Sequence, residues 1–244
     1  MTYIYVKNKQ TTHHHKKLKI IPTKRKYFAF GFLAIGIITF WSAIFPIIKF
    51  QLFYSTKFNP IISPLSNKFY NQGGQVLGEV SSDYTQLSNW FITDNSQNKT
   101  PGLLTSDNSN TNYLLSIPKL NIYDAVVEIG SMDLKKSLIQ YPQTALPGQL
   151  GNAVVFGHSV LPQFFNPKAY MTIFSTLFKL KPNDEIELKF DNIDYKYIVE
   201  DIYEVQATDF SVLEQRFDGR YLTLITCSPP GTYLRRLVIK AKIL

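Results

Sequence analysis

Tyr221-Leu222-Thr223-Leu224-Ile225-Thr226-Cys227 runs directly into Ser228-Pro229-Pro230-Gly231. The first six residues are aromatic, β-branched or aliphatic, which is strand composition. Pro-Pro-Gly cannot continue a central strand, because it lacks donors for the ladder. Cys227 therefore lies where a strand stops, a place from which a rigid scaffold presents a side chain to a cleft. It is the only cysteine of the chain, which excludes an internal disulfide and any CxxC metal or redox site. A lone cysteine is more often a small buried hydrophobe than a nucleophile, so its neighbours must decide.

Outward from this stretch, the chain after Tyr113 breaks into short β-like runs separated by turn signals. They are Leu114 to Ile117, Ala125 to Ile129, Ala153 to Phe156, Glu185 to Phe190, Asp194 to Val205, Tyr221 to Thr226 and Leu234 to Ile243. The texture predicts one all-β barrel or sandwich of about 130 residues. Helical interruptions are expected near Leu134 to Ile139 and near Ala169 to Leu177.

Two of these runs carry chemistry toward Cys227. Asn152-Ala153-Val154-Val155-Phe156-Gly157-His158-Ser159 is an apolar strand ending in Gly-His-Ser, which lifts His158 to a strand end as well. An imidazole there pairs with a thiolate or donates to a leaving amine; the competing reading is a histidine satisfied by loop hydrogen bonds. The last run begins seven residues after Cys227. So short a connection favours an antiparallel neighbour, in which an arginine early in the second strand faces a cysteine late in the first. Arg235 and Arg236 point to opposite sides, and strand period alone does not choose between them.

Phe28 to Ile48 reads FAFGFLAIGIITFWSAIFPII, 21 residues with no charge and only Thr39 and Ser42 as polar side chains. As a helix it spans about 31 Å, enough for a ~30 Å hydrocarbon core. The residues that follow, Lys49-Phe50-Gln51-Leu52-Phe53-Tyr54, are bulky rather than the small residues of a cleavage site, so a retained anchor over 28–50 is expected. Residues 1–27 form a basic tail with seven Lys, one Arg and no acid. By the positive-inside rule that tail is cytoplasmic and the rest exported. His158 is then the only exported histidine, since His13, His14 and His15 lie in the tail.

The formal charge of +8 sits in that tail; the remaining residues carry 18 basic and 18 acidic groups. A neutral body argues against a nucleic-acid groove. Residues 51–112 are rich in Asn, Ser, Thr and Gln, the composition of a polar extracytoplasmic stalk. Within it, Ser81-Ser82-Asp83 could cap a short helix with Leu87, Trp90 and Phe91 on one side, a lid or brace.

At TLITC (223–227), GHS (157–159) and RLVIKA (236–241) the chain resembles the sortases, in the order His, Cys, Arg. The resemblance continues in Ile117-Pro118-Lys119-Leu120-Asn121-Ile122, in Tyr141-Pro142 with Ala145-Leu146-Pro147-Gly148-Gln149, and in Asp209-Phe210-Ser211-Val212-Leu213. It covers about residues 113 to 244, the expected catalytic domain, and the anchor and stalk fit a type II sortase. It leaves the class open, D or E among those it fits. It implies a closed barrel of about eight mostly antiparallel strands with short helices, after one transmembrane helix. It also implies a cysteine transpeptidase with catalytic residues Cys227, His158 and Arg236, Arg236 being the arginine that precedes a small residue, Ala241, by five positions. The implied reaction cleaves a Leu-Pro-x-Thr-Gly type sorting signal through a thioacyl enzyme and passes the acyl group to an amine of cell-wall precursor or a pilin lysine. Val212 and Leu213 fall where the family builds the wall that meets the Leu-Pro part, although they fit a short core helix equally well. Gln163 to Leu180 departs from the family pattern. Asp191, Asp194 and Glu200 match no calcium-ligand spacing, so neither metal nor cofactor is expected. The rival readings are a cysteine hydrolase and a membrane-tethered β-barrel adaptor with a structural Cys227; a sulfur sealed in the interior, or far removed from the ring of residue 158, would end the transpeptidase reading.

Overall fold

A computed structural model of the chain describes residues 23–54, 83–90 and 112–244. It divides into two compact units, Met1–Phe50 and Gln51–Leu244. Helix α1 is Thr23–Tyr54, and its segment Tyr27–Tyr54 is long and apolar enough to cross a bilayer. Phe28, Phe32 and Trp41 are exposed along it. By length and composition this helix is a candidate membrane span. The Thr39 hydroxyl donates back to the Ile35 carbonyl at 3.0 Å, so even this polar group is satisfied within the helix.

The second unit holds eight strands: β1 Asn112–Ile117, β2 Ile122–Ile129, β3 Leu138–Gln140, β4 Gly151–Phe156, β5 Glu185–Phe190, β6 Ile193–Gln206, β7 Arg220–Ser228 and β8 Arg235–Ile243. They close into a barrel in the order β1-β2-β3-β4-β7-β8-β6-β5, with β5 paired back to β1. All pairs are antiparallel except β2 with β3 and β4 with β7. Closure leaves no unpaired edge along the wall.

Strand alternation sorts the apolar residues into two cores. Leu115, Val127, Val155, Leu188, Leu224 and Ile239 fill the barrel interior. Val154, Phe156, Ile225, Cys227 and Val238 face outward and pack with Leu87 and Trp90. This explains the unbroken apolar runs in the sequence: β4 is buried at every position and β7 at seven consecutive positions, because both faces are covered.

Two expected helices are absent. Around Leu134 to Ile139 the chain turns and then forms β3, parallel to β2 and antiparallel to β4. Leu134, Leu138 and Ile139 have helical spacing, yet Leu138 points into the barrel and Ile139 to the outer cluster, a division that only a strand provides. Ala169 to Leu177 is a chain of tight turns bonded at i to i−3, ending in a 3-10 turn over Leu177–Lys179. Ile173, Phe174 and Leu177 from these turns plug the interior, and this tertiary burial overrides the local helical spacing.

Leu224 is fully buried in the interior. Leu224→Ala is expected to lower the free energy of unfolding by about 2–5 kcal/mol. A urea titration of the folded protein that showed no loss would contradict this packing.

Candidate active site

Three neighbouring strands, β4, β7 and β8, bring the candidate residues together. In the antiparallel pair β7/β8, Cys227 lies directly opposite Arg236, and the Arg236 Nη1 donates toward the Cys227 Sγ at 3.8 Å. In the parallel pair β4/β7 the last matched residues are Phe156 and Ile225, with Gly157 N donating to the Ile225 carbonyl at 3.1 Å. Continued two residues, that register sets His158 beside Cys227. Side-chain bonds hold the continuation: Thr226 Oγ1 donates to the Gly157 carbonyl at 2.8 Å, and Ser159 Oγ donates to the Cys227 carbonyl at 3.1 Å. Val154 and Phe156 face outward with Ile225 and Cys227, so His158, next in the period of two, falls on the same face. Cys227 therefore lies opposite Arg236 on β8, and His158, two residues past the end of β4, falls level with it on the other side by backbone register.

Gly157 is required by close packing. A Cβ there would meet Phe174 ring carbons at 2.3 and 2.6 Å and Leu138 Cδ2 at 2.7 Å. Only the missing side chain lets the chain leave β4 against Phe174 and Leu138 on its way to His158.

Of the two arginines, Arg236 lies at the thiol, whereas Arg235 turns to the other face and pairs with Glu204 at 3.3 Å. The charge of Arg236 is buried, at 2% exposure. Its Nη1 also donates to the carbonyls of Tyr233 and Arg235, its Nη2 donates to the Trp90 carbonyl at 3.1 Å, and its guanidinium carbon stands 4.8 Å above the Trp90 ring. Among the described residues no carboxylate forms an ion pair with it. Carbonyl dipoles and a π face hold a cation in place without neutralising it. The site thus keeps a fixed positive charge available to an anion forming at or near the sulfur.

Burial pushes the Cys227 thiol up to about 11, and the charge of Arg236 pulls against that shift. His158 is pushed down by burial, opposed by the Ser159 and Met171 backbone and by the charge of Asp83. Its Nδ1 is buried without a hydrogen-bond partner among the described residues.

A family model of the sortase domain matches residues 115–244. The chain belongs to the sortase family. Similar solved structures include a sortase D5 transpeptidase of Clostridium perfringens, 26% identical, covering 55% of this chain and 79% of that one, with TM-score 0.48. A pilus-related sortase C of Group B Streptococcus is 27% identical over 56% of this chain and 68% of its own, at TM-score 0.49. Sortase A from Corynebacterium diphtheriae is 27% identical over 55% and 60%, at TM-score 0.48. No curated protein matches the chain.

In this sortase the site is roofed. Residues 83–90 cross the outer face, with Leu87 and Trp90 buried against Phe156, Ile225 and Cys227. Gln86 bridges to Asp133, Leu87 N donates to the Met132 carbonyl at 2.9 Å, and the Tyr84 ring stacks on Tyr233 at 4.0 Å between centroids. The expected capping role falls to Asp83, whose Oδ1 accepts from Thr85 N at 3.0 Å; Leu87–Trp90 is a 3-10 turn, and Ser81, Ser82 and Phe91 lie outside the described residues. Cys227 is 1% exposed as a result. Its cover is this short external segment, whereas the barrel interior lies on the other side of the wall. Val212 is buried in the same outer cluster and Leu213 packs against it, on the 3-10 turn Phe210–Leu213. Both border the Cys227 cluster and both serve as its core. Residue order alone did not single out the Trp90 carbonyl as a ligand of Arg236; a long-range contact through main chain leaves no sequence signature.

Trp90→Ala is expected to expose the sulfur and relieve the desolvation that raises the thiol. Alkylation of Cys227 by a small reagent should accelerate by about tenfold or more at pH 8 and its pH profile should move down from about 11. An unchanged rate would mean that Trp90 is not what seals the thiol.

Proposed function

We propose that this sortase is a membrane-anchored cysteine transpeptidase that cleaves a Leu-Pro-x-Thr-Gly type sorting signal and transfers the protein to an amine of cell-wall precursor or pilin. The observation that supports the reading is the Cys227–Arg236 rung, a thiol beside a buried cation that has no carboxylate partner among the described residues, with His158 two residues past the end of the neighbouring strand β4.

The thiol proton passes to His158 as the Cys227 sulfur attacks the scissile carbonyl carbon, giving a thiolate equivalent only at the moment of attack. The negative charge then moves to the carbonyl oxygen, where Arg236 stabilises it; its planar donors stay charged throughout. Collapse breaks the carbon–nitrogen bond, His158 returns the proton to the departing amine, and a thioacyl enzyme remains. An incoming amine adds to the thioester, gives its proton to His158, and sulfur leaves as the thiol. Val212 and Leu213 offer an apolar wall to the Leu-Pro part once residues 83–90 have moved aside. The movement is required, because a sulfur 1% exposed has no line of approach to a peptide carbonyl.

The basic flank before α1 sets the N-terminus in the cytoplasm and the barrel outside the membrane, where both a secreted signal-bearing protein and the wall amine are available.

The test offers the protein a fluorogenic sorting-signal peptide with and without an amine acceptor. Native protein should yield the amine-bearing product, Cys227→Ala none, and Arg236→Ala a kcat lower by about 100-fold or more. Cleavage with no amine product at any acceptor would replace transfer by hydrolysis, and no cleavage of any signal would leave Cys227 a structural residue.

A further inference from the structure

Glu204 is the one buried carboxylate among the described residues, at 4% exposure, and the reaction above does not use it. It lies in β6 opposite Leu237 of β8, which in turn lies opposite Thr226 of β7. Leu237 belongs to the barrel interior, so Glu204 stands on the inner face of the wall while Cys227 and Arg236 stand on the outer. On that inner face its two oxygens are divided. Oε1 accepts a short hydrogen bond from the Ser228 hydroxyl, and Oε2 accepts from Arg235 Nη1 at 3.3 Å. The Tyr54 hydroxyl is 2.8 Å from Ser228 Oγ; with the serine proton committed to Glu204, the phenol is the donor.

Ser228 directly follows Cys227, and Arg235 directly precedes Arg236. They are themselves cross-strand partners, the rung next to the Cys227–Arg236 rung. It is also the last rung before the Pro-Pro-Gly turn, where a hairpin ladder is weakest, and the Arg235 side chain is 44% exposed. A buried carboxylate is a poor choice for stability alone, since an apolar side chain of similar volume packs there at no desolvation cost. Two acceptor oxygens on one rigid group are what a bridge between Ser228 and Arg235 needs.

We propose that Glu204 is a positioning residue: by joining Ser228 to Arg235 on the inner face it fixes the end of the β7–β8 ladder and thereby holds the Arg236 guanidinium at the Cys227 sulfur on the outer face. The catalytic consequence rests on the transpeptidase reading, whereas the effect on the thiol does not. The charged and titratable groups facing that thiol are Arg236, Tyr233 and, by register, His158.

The experiment compares Glu204→Ala, Glu204→Gln and Ser228→Ala with the native full chain, by peptide kinetics and by the rate of Cys227 alkylation at fixed pH. Glu204→Ala should lower kcat by about tenfold or more with KM little changed, because positioning is lost and signal binding is not. Its alkylation should slow by about threefold or more, the effect of a half-unit rise in the thiol pKa as the cation drifts away. Glu204→Gln keeps one acceptor but also removes a negative charge, which by itself favours the thiolate, so its kcat should fall between native and Ala; Ser228→Ala removes one arm of the bridge with no charge change and should slow alkylation by about threefold even if Glu204→Ala does not fold. Alkylation at the native rate or faster in Ser228→Ala overturns the proposal. If native protein cleaves no signal at all, the transpeptidase reading fails while the alkylation series still decides the role of Glu204.

Discussion

The rung that joins Cys227 to Arg236 is the constraint on which this molecule is organised. An antiparallel ladder sets two side chains opposite each other, and here one is a thiol and the other a cation buried without a carboxylate to neutralise it. Such a charge is tolerated because Nη1 and Nη2 donate to the carbonyls of Tyr233, Arg235 and Trp90 and its flat face lies on an indole, while Nε is buried without a partner among the described residues. Moving Arg236 one residue along would send it to the inner face, where Arg235 already meets Glu204. The identity of the site thus depends on strand register, and register depends on everything that packs the barrel.

That packing works on two sides of one wall. The closed sheet has an ordinary interior, plugged from the His158 end by Ile173, Phe174 and Leu177. Its β4-β7-β8 sector has a second apolar layer outside, completed by Leu87 and Trp90 from a segment far away in sequence. The outer layer dries the site, which raises the thiol and lowers the imidazole while strengthening the influence of Arg236. The same layer blocks the substrate. The cover is held by backbone bonds of Thr85 and Leu87 to Leu134 and Met132, by the Trp90 carbonyl on Arg236, by the Tyr84–Tyr233 stack and by the buried Leu87 and Trp90, contacts outside the strand ladders of the barrel.

Much of this was legible in residue order. Runs such as Glu185–Phe190 match the observed strand end to end, because alternation and turn residues agree there. His158 and Cys227 were found by a shared logic, an apolar strand that runs into residues unable to extend it. The failures were equally physical. Leu134 to Ile139 reads as a helix when its spacing is counted and forms a strand because Leu138 and Ile139 have cores on opposite sides. Leu87 and Trp90 lie in a stretch whose polar composition conceals two buried anchors.

The sequence alone determined the all-β body, the apolar span near the N-terminus and the three side chains with chemistry to offer, since each of these is written in local pattern: period, length, or a residue type at a strand end. Strand period left Arg235 and Arg236 as equals, and it was the resemblance of the terminal block that favoured Arg236. Only the tertiary structure put Arg236 at the sulfur, gave Arg235 to Glu204 and laid Trp90 over both Arg236 and Cys227. The reason is that facing direction is a property of pairing between strands. A strand carries its alternation with it, but which face meets solvent, interior or cover is settled by neighbours that lie far away along the chain.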